Sequence, residues 1–396
     1  MKIGVLLSRV PYPLEKGDKL RAFHQIRTLS EKHEIYLCAL NVGKLHPEAI
    51  ERLAPYCNEI KVIQLTKFGI LLNLAFSLLF TNLPLQVAYF YNRRAKKHIL
   101  RFFKSHQIDH LYCQLIRVSE YVKDFEDAPK TLDYMDALSR GMERRISQAK
   151  IGMRELFKIE ATRLKRYEHF IFPAFDHKTI ISSQDRNLIV HAQNHRIHII
   201  RNGVDQAFFK PKEVEKKYDL LFTGNMSYPP NVDGVDYLVN QVLPLVWKEM
   251  PEVKLAIAGA NPSPRVEALA SNKVVVTGWV DDIRDYYAAS KVFVAPMQIG
   301  TGLQNKLLEA MAMQIPCITS PLANNALGGV HNKNILIGEK PEDYKQLILQ
   351  LLSDETKAES IALAGYQLIN QQYNWKSSTS KLEALFLRAA SDKKQA

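Results

Sequence analysis

The chain has little cysteine, and none of its four thiols (Cys38, Cys57, Cys113, Cys317) forms a CxxC pair. A disulfide framework is therefore not expected; three of the four lie in or beside apolar β-prone runs and read as buried, reduced thiols of a cytoplasmic protein. The unbroken apolar run that ends at Phe80 is shorter than the ~20 residues that span a bilayer. Lys2-Ile3-Gly4-Val5 already reads as a strand, so no signal peptide is expected. Acidic excess is absent throughout: residues 1–200 hold 32 Lys+Arg against 20 Asp+Glu, while residues 201–396 hold 21 of each, so the whole net charge of +12 sits in the first half. Such a field attracts acidic membranes or phosphorylated substrates. No recognised nucleic-acid motif accompanies it, so nucleic acid is not an expected partner.

What is present is alternation. Hydrophobic residues make up 46% of 396 positions, enough for two ordinary cores. Ile3–Leu7 reads as a buried strand, Arg9 to Lys19 as a loop, Leu20–Glu31 as a helix and Glu34–Leu40 as a second strand. Asp109–Cys113, Lys130–Tyr134 and Lys178–Ser182 continue the pattern, with a basic stretch of helical spacing between Arg140 and His169. After Asn202-Gly203, a strong turn, Pro211 opens a charged connector. Tyr218–Phe222, Lys254–Ala258 and Val274–Thr277 follow, each leading into a glycine (Gly224, Gly259, Gly278). Strands alternating with helices imply parallel sheets covered on both faces, an α/β architecture of two doubly wound Rossmann-like domains. The expected boundaries are 1–198, 199–374 and a C-terminal helix in 375–396 that returns to the first domain.

The most informative segment is Ala295–Ser320. The run Lys291–Pro296 enters a loop with Gly300 and Gly302, and a helix is expected to open near Leu303. Free N–H groups of its first turn suit a phosphate. Lys306 can add a full charge, and Glu309, about one turn further on the same face, can accept hydrogen bonds from ribose hydroxyls. Phosphate donors beside a sugar-gripping carboxylate read as a nucleotide-diphosphate site.

These residues resemble the donor signature of retaining glycosyltransferases of the GT-B fold, in particular glycosyltransferase family 4. That signature reads Glu, seven residues, then Glu-Ala; here Glu309-Ala310 matches its second half, while Thr301 stands where the first Glu belongs. Asn202-Gly203-Val204-Asp205 resembles the family's interdomain junction. The resemblance implies two domains facing a central cleft, with donor contacts at Gly224, Asn225 and Val280 and along Thr301, Gly302, Leu303, Gln304, Asn305 and Lys306 to Glu309. It makes Lys306 and Glu309 the residues expected to matter most for catalysis. Family members commonly carry Arg and Lys where Asn225 and Asn231 stand, which would leave Lys306 with most of the diphosphate charge. The first loop resembles the family's glycine loop, placing Gly17, Asp18, Lys19 and Arg21 near donor or acceptor. Retaining transfer in this fold needs no dedicated metal, and no DxD motif occurs, so no metal or other cofactor is expected.

On the acceptor side, Gln114 and Asp133 end strands at the carboxyl edge of the first sheet, and Asp136 reads as an N-cap of the basic helix that follows. Phe68–Tyr91 is the most apolar stretch and is followed by Arg93, Arg94, Lys96 and Lys97. Two readings stand: a core helix with its connector, or a surface resting on an anionic membrane leaflet. Taken together, the expected protein is a glycosyltransferase moving a sugar from a nucleotide-diphosphate donor, expected to be UDP-linked, to a cell-envelope or exopolysaccharide acceptor that is lipid-linked if the membrane reading holds. A non-catalytic nucleotide-sugar-binding subunit and a nucleotide-sugar 2-epimerase are the alternatives.

Overall fold

Short runs rich in Val, Ile and Leu become strands covered on both faces, which is why they read as continuous apolar blocks rather than alternating ones. The computed structural model describes residues 1–148, 151–299 and 303–395. They divide into two units, Met1–Arg201 with Trp375–Ala396, and Asn202–Asn374.

In the first unit, β1 (Lys2–Leu7), β2 (Glu34–Val42), β3 (Glu59–Leu65), β4 (His110–Gln114), β5 (Lys130–Asp133), β6 (His177–Ile180) and β7 (His198–Ile199) form one sheet in the order β3-β2-β1-β4-β5-β6-β7. Every pair is parallel. The C-terminal helix, Trp375–Gln395, belongs to this unit: Leu382 and Phe386 are buried in one cluster with Ile3, Val5, Ala22 and Ile26. Phe386 stacks on His110 with ring centroids 4.2 Å apart, and Trp375 stacks on His24 at 4.9 Å. Glu383 ties the helix further, accepting from Lys32 at 3.2 Å and pairing with His33 at 3.0 Å.

In the second unit, β8 (Tyr218–Thr223), β9 (Leu255–Ala258), β10 (Val274–Val276), β11 (Ser290–Ala295), β12 (Cys317–Thr319) and β13 (Leu336–Ile337) form a second parallel sheet, ordered β10-β9-β8-β11-β12-β13. Strand order reverses between β1 and β4 in one sheet and between β8 and β11 in the other. Ligands of doubly wound sheets bind at such switch points, beyond the carboxyl ends of the strands.

Three departures from the sequence reading bear on function. The first helix starts at Gly17 rather than Leu20, so Gly17, Asp18 and Lys19 form its first turn. The helix expected to open near Leu303 starts at Asn305, two residues later. Phe68–Tyr91 divides into the helices Lys67–Phe80 and Leu85–Phe90; the second contributes Val87, Ala88 and Phe90 to the core, whereas the first buries only Ile70 and Ser77. Among the described residues no helix is long and apolar enough to cross a membrane.

The β8 and β9 ends approach each other through glycines. Gly259 has φ +141°, and a Cβ there would lie 1.9 Å from the carbonyl oxygen of Gly224. Main chain cannot retreat as a side-chain tip would, and the φ is one that L side chains rarely adopt. Gly259→Ala is therefore expected to destabilise the second unit by about 3 kcal/mol or more, read by urea denaturation; a loss under about 1 kcal/mol would contradict the packing described.

Candidate functional site at the second switch point

Three glycine loops meet at the carboxyl edge of the second sheet. Gly224 N–H donates to Ala258 O at 3.1 Å, Met226 N–H to Ala260 O at 2.8 Å, and Gly259 N–H to Gly278 O at 3.2 Å. Gly224, at φ +149°, leaves room for two side chains: a Cβ there would sit 2.6 Å from Asn231 Nδ2 and 3.5 Å from Lys306 Nζ.

Lys306 occupies that space. It is the second residue of the helix Asn305–Ala312, which Gln304 precedes without a side-chain cap bond. The lysine is 8% exposed. Its ammonium lies 4.5 Å from the Phe222 ring centroid, donates to Asn231 Oδ1 and approaches Met297 Sδ at 3.9 Å. Asn231 Nδ2 donates to Asn225 O at 2.9 Å, which turns the amide oxygen toward the lysine. A neutral amide, an aromatic face and a thioether are weak company for a buried cation. Burial pushes Lys306 down to about 7, with Glu309 pulling the other way.

Glu309 lies one turn on, half-buried. The buried Tyr287 hydroxyl donates to Glu309 Oε2 at 2.9 Å and is itself 2.7 Å from Thr223 Oγ1. With Tyr287 donating its one proton to the carboxylate, Thr223 is the donor to Tyr287. Burial raises the Glu309 carboxyl, while the Tyr287 bond and the Lys306 charge oppose that rise. Oε1 has no hydrogen bond among the described residues. Phe222, Thr223, Tyr287 and Met297 were not singled out in the sequence. Only Tyr287 has a signal there, a polar aromatic on the helix Ile283–Ala288 just before β11.

The remaining expected donor residues divide. The Asn225 Oδ1 closes its own turn, accepting from Ser227 N at 3.0 Å and Ser227 Oγ at 2.7 Å. Val280, Leu303, Gln304 and Asn305 are half-buried around the helix start and the third glycine loop. Asn305 Oδ1 is buried with no hydrogen-bond partner among the described residues. Thr301 and Gly302 lie outside the described residues.

In the first unit two expectations change. Arg21 is not placed to meet a phosphate: it is fully buried, its Nε 2.6 Å from Asp133 Oδ2. Asp133 is likewise closed to an acceptor, because its oxygens also accept from Tyr112 OH at 2.8 Å and Thr179 Oγ1 at 2.9 Å. A buried charge demands such partners, so the strand-end position serves the fold. Gly17 is exposed, Asp18 pairs with Arg9 at 3.0 Å, and Lys19 donates to Tyr12 O at 3.1 Å. Gln114 is buried and donates to Asp18 O at 3.1 Å. Asp136 sits beside Asp185 and Asp133; burial first, then those carboxylates, raise its carboxyl.

Residues 217–354, which hold every member of the Lys306–Glu309 constellation, match the family model described as Glycosyl transferases group 1. The second unit carries a glycosyl transferases group 1 domain. Across 96% of this chain and 98% of its own length, an uncharacterized 44.6 kDa protein in the cps region of Klebsiella pneumoniae is 23% identical. A GDP-mannose-dependent α-(1-6)-phosphatidylinositol monomannoside mannosyltransferase of Mycobacterium tuberculosis is 27% identical over 47% of this chain and 54% of its own. Among solved structures, the sucrose-phosphate synthase of Thermosynechococcus elongatus superposes with TM-score 0.70 at 14% identity, covering 98% of this chain and 99% of that one. Anabaena HepE in complex with UDP-glucose gives 0.69 at 13% identity, covering 98% and 100%. These likenesses establish the fold: the group 1 domain is one of two Rossmann-like units of a GT-B glycosyltransferase architecture.

A buried ammonium with no ion pair among the described residues is a cost to the empty domain. Lys306→Met, which keeps the stem and contacts Phe222 and Met297, is expected to raise stability by about 1 kcal/mol. The lysine's folded value, about 7, lies below its ordinary 10.5, so this group's contribution falls as pH drops from 10.5 to 7 and is level below that. The gain from Lys306→Met should therefore be larger in melts at pH 7 than at pH 10; a lower Tm at both would contradict the assignment.

Proposed function

We propose that this protein is a retaining, metal-independent hexosyltransferase of family 4 type, taking the sugar of a UDP-linked donor to a lipid-linked cell-envelope or exopolysaccharide acceptor at the inner face of the cytoplasmic membrane. The observation that carries this is the pairing, at one switch point, of a buried, weakly compensated lysine at a helix start with a carboxylate held by Tyr287. A diphosphate at the glycine loops would take the Lys306 ammonium and the amides of the first helical turn as its counter-charge. That supply of charge is why no metal is invoked. Glu309 Oε1 is the oxygen open to the ribose hydroxyls, while Tyr287 fixes the carboxylate through Oε2. In the transfer, the bond from the anomeric carbon to the β-phosphate oxygen breaks, the acceptor oxygen bonds to the same face, and the acceptor proton leaves with the diphosphate.

The UDP-glucose complex of Anabaena HepE supports a UDP donor, and the GDP-mannose dependence of the mycobacterial relative makes GDP-sugars the necessary comparison. The Klebsiella relative, named for a cps region, supports the acceptor class. The concentration of net charge in residues 1–200 supports an anionic membrane as the working surface.

The test is a panel of UDP- and GDP-sugars, each incubated with the protein and scored for slow release of nucleotide, with and without EDTA. One donor should be hydrolysed, unaffected by EDTA, and Lys306→Ala and Glu309→Ala should each slow that release by at least about 100-fold. Nucleotide binding without turnover of any donor, even with membrane extract added, would favour a binding subunit instead. Conversion to a second nucleotide sugar would favour a 2-epimerase.

A further inference from the structure

The helix Lys67–Phe80 is amphipathic the wrong way round for water. Phe68, Leu71, Leu72, Phe76 and Leu79 fall at i, i+3, i+4, i+8 and i+11, one continuous stripe. That stripe faces outward: these side chains are 71%, 64%, 54%, 59% and 71% exposed, and Phe80 at the helix end 72%. The inward face carries the helix's polar residues, Asn73 and Ser77, beside the apolar Ile70 and Leu74. Asn73 donates to Tyr91 O, and Ser77 Oγ to Leu83 O at 2.8 Å. No charged side chain follows Lys67 in the helix.

The orientation is fixed rather than accidental. Thr66 caps the helix start, accepting from Gly69 N–H at 3.2 Å. Arg163, from the long helix Ile151–Ile171, donates to the carbonyls of Ser77 at 3.0 Å and Leu78 at 3.2 Å, closing the helix end. Glu160 of the same long helix accepts from Leu85 N at 2.6 Å and Gln86 N at 2.9 Å, pinning the connector. Rolling the helix to hide its stripe would break the Asn73 and Ser77 bonds, leave the Tyr91 and Leu83 carbonyls facing apolar side chains and draw Ile70 out of the core, a cost the fold avoids by leaving the stripe outside.

Charge says what covers the stripe. The helix Arg93–Ser105 begins two residues after Tyr91, the acceptor of Asn73. Its Arg93, Arg94 and Lys97 are exposed and make no ion pair among the described residues, whereas Lys96 and Lys104 are matched to Asp124 and Asp127. Such cations beside an uncharged apolar stripe suit an anionic lipid surface better than an apolar protein face. With 14 residues, the helix is about 21 Å long, too short to span the hydrocarbon but long enough to lie in the headgroup boundary.

We infer that the outward stripe of Lys67–Phe80 inserts into an anionic leaflet, with Arg93, Arg94 and Lys97 on the headgroups. The inference extends the lipid-linked acceptor proposed above, and vesicle binding without donor tests it separately from transfer. Because the apolar stripe does the holding, the attachment resists salt, unlike adsorption through surface charge.

The experiment is flotation of the full chain with phosphatidylcholine vesicles containing phosphatidylglycerol, at low and high salt. The protein should float, and most should stay bound at high salt. Leu72→Glu with Leu79→Glu should lower partitioning at both salts by at least about 30-fold with unchanged Tm and donor hydrolysis. Arg93→Glu with Arg94→Glu should weaken binding chiefly at low salt. Phe76→Trp supplies a second readout, an emission that shifts to the blue on vesicles. Loss of all binding at high salt, flotation of the Leu72/Leu79 variant like the parent, or an unshifted emission from the Phe76→Trp variant would overturn the inference. So would a lipid-free dimer in sedimentation that the Leu72/Leu79 variant dissolves, since the stripe would then serve a second copy.

Discussion

One contact organises the second unit's chemistry: the Lys306 ammonium, buried above the Phe222 ring and held by the amide oxygen of Asn231. A cation in such surroundings is under-compensated, and its proton is loosely held as a result. The surrounding structure exists to make that arrangement possible. Gly224 gives up its side chain to the lysine and Asn231, Gly259 gives up its own to the Gly224 carbonyl, and the sheet order delivers all three loops to one edge. Stability is spent locally so that charge is available when an anion arrives, a trade expected of functional sites.

Glu309 is arranged by the opposite logic. Its carboxylate is steadied by Tyr287 and Thr223, a hydrogen-bonded relay that leaves Oε1 without a hydrogen bond among the described residues. In the function proposed above, a lysine short of partners and a carboxylate supplied with them, one helical turn apart, would serve as the phosphate side and the sugar side. In the first unit, buried charge serves packing instead. Arg21 and Asp133 satisfy each other, and His110, pushed down to about 3 by burial, stacks on Phe386 as a neutral ring.

The sheets were legible because parallel strands must be apolar on both sides: Tyr218–Phe222 and Lys254–Ala258 were read within a residue of β8 and β9. The placement of Lys306 and Glu309 one turn apart at a helix start was legible because its signals are all local. Tyr287 was not, since its partner is 22 residues away and nothing local marks the contact. Arg21, expected near a ligand from its loop, and Asp133, expected there from its strand end, were misread for the same reason: only their pairing across 112 residues shows a closed network. The helix Lys67–Phe80 illustrates a further limit, because periodicity reveals that a stripe exists without saying which way it faces.

If Lys306 is a diphosphate anchor whose burial leaves it largely neutral at pH 8, binding there must bring a proton with it. Titration calorimetry of UDP binding at pH 8, in buffers of different ionisation enthalpy, counts that proton. Uptake of about one proton per UDP is expected in the parent protein and none in Lys306→Met, whose affinity should fall at least about 30-fold. Tight binding of UDP at pH 8 with no proton uptake would contradict it.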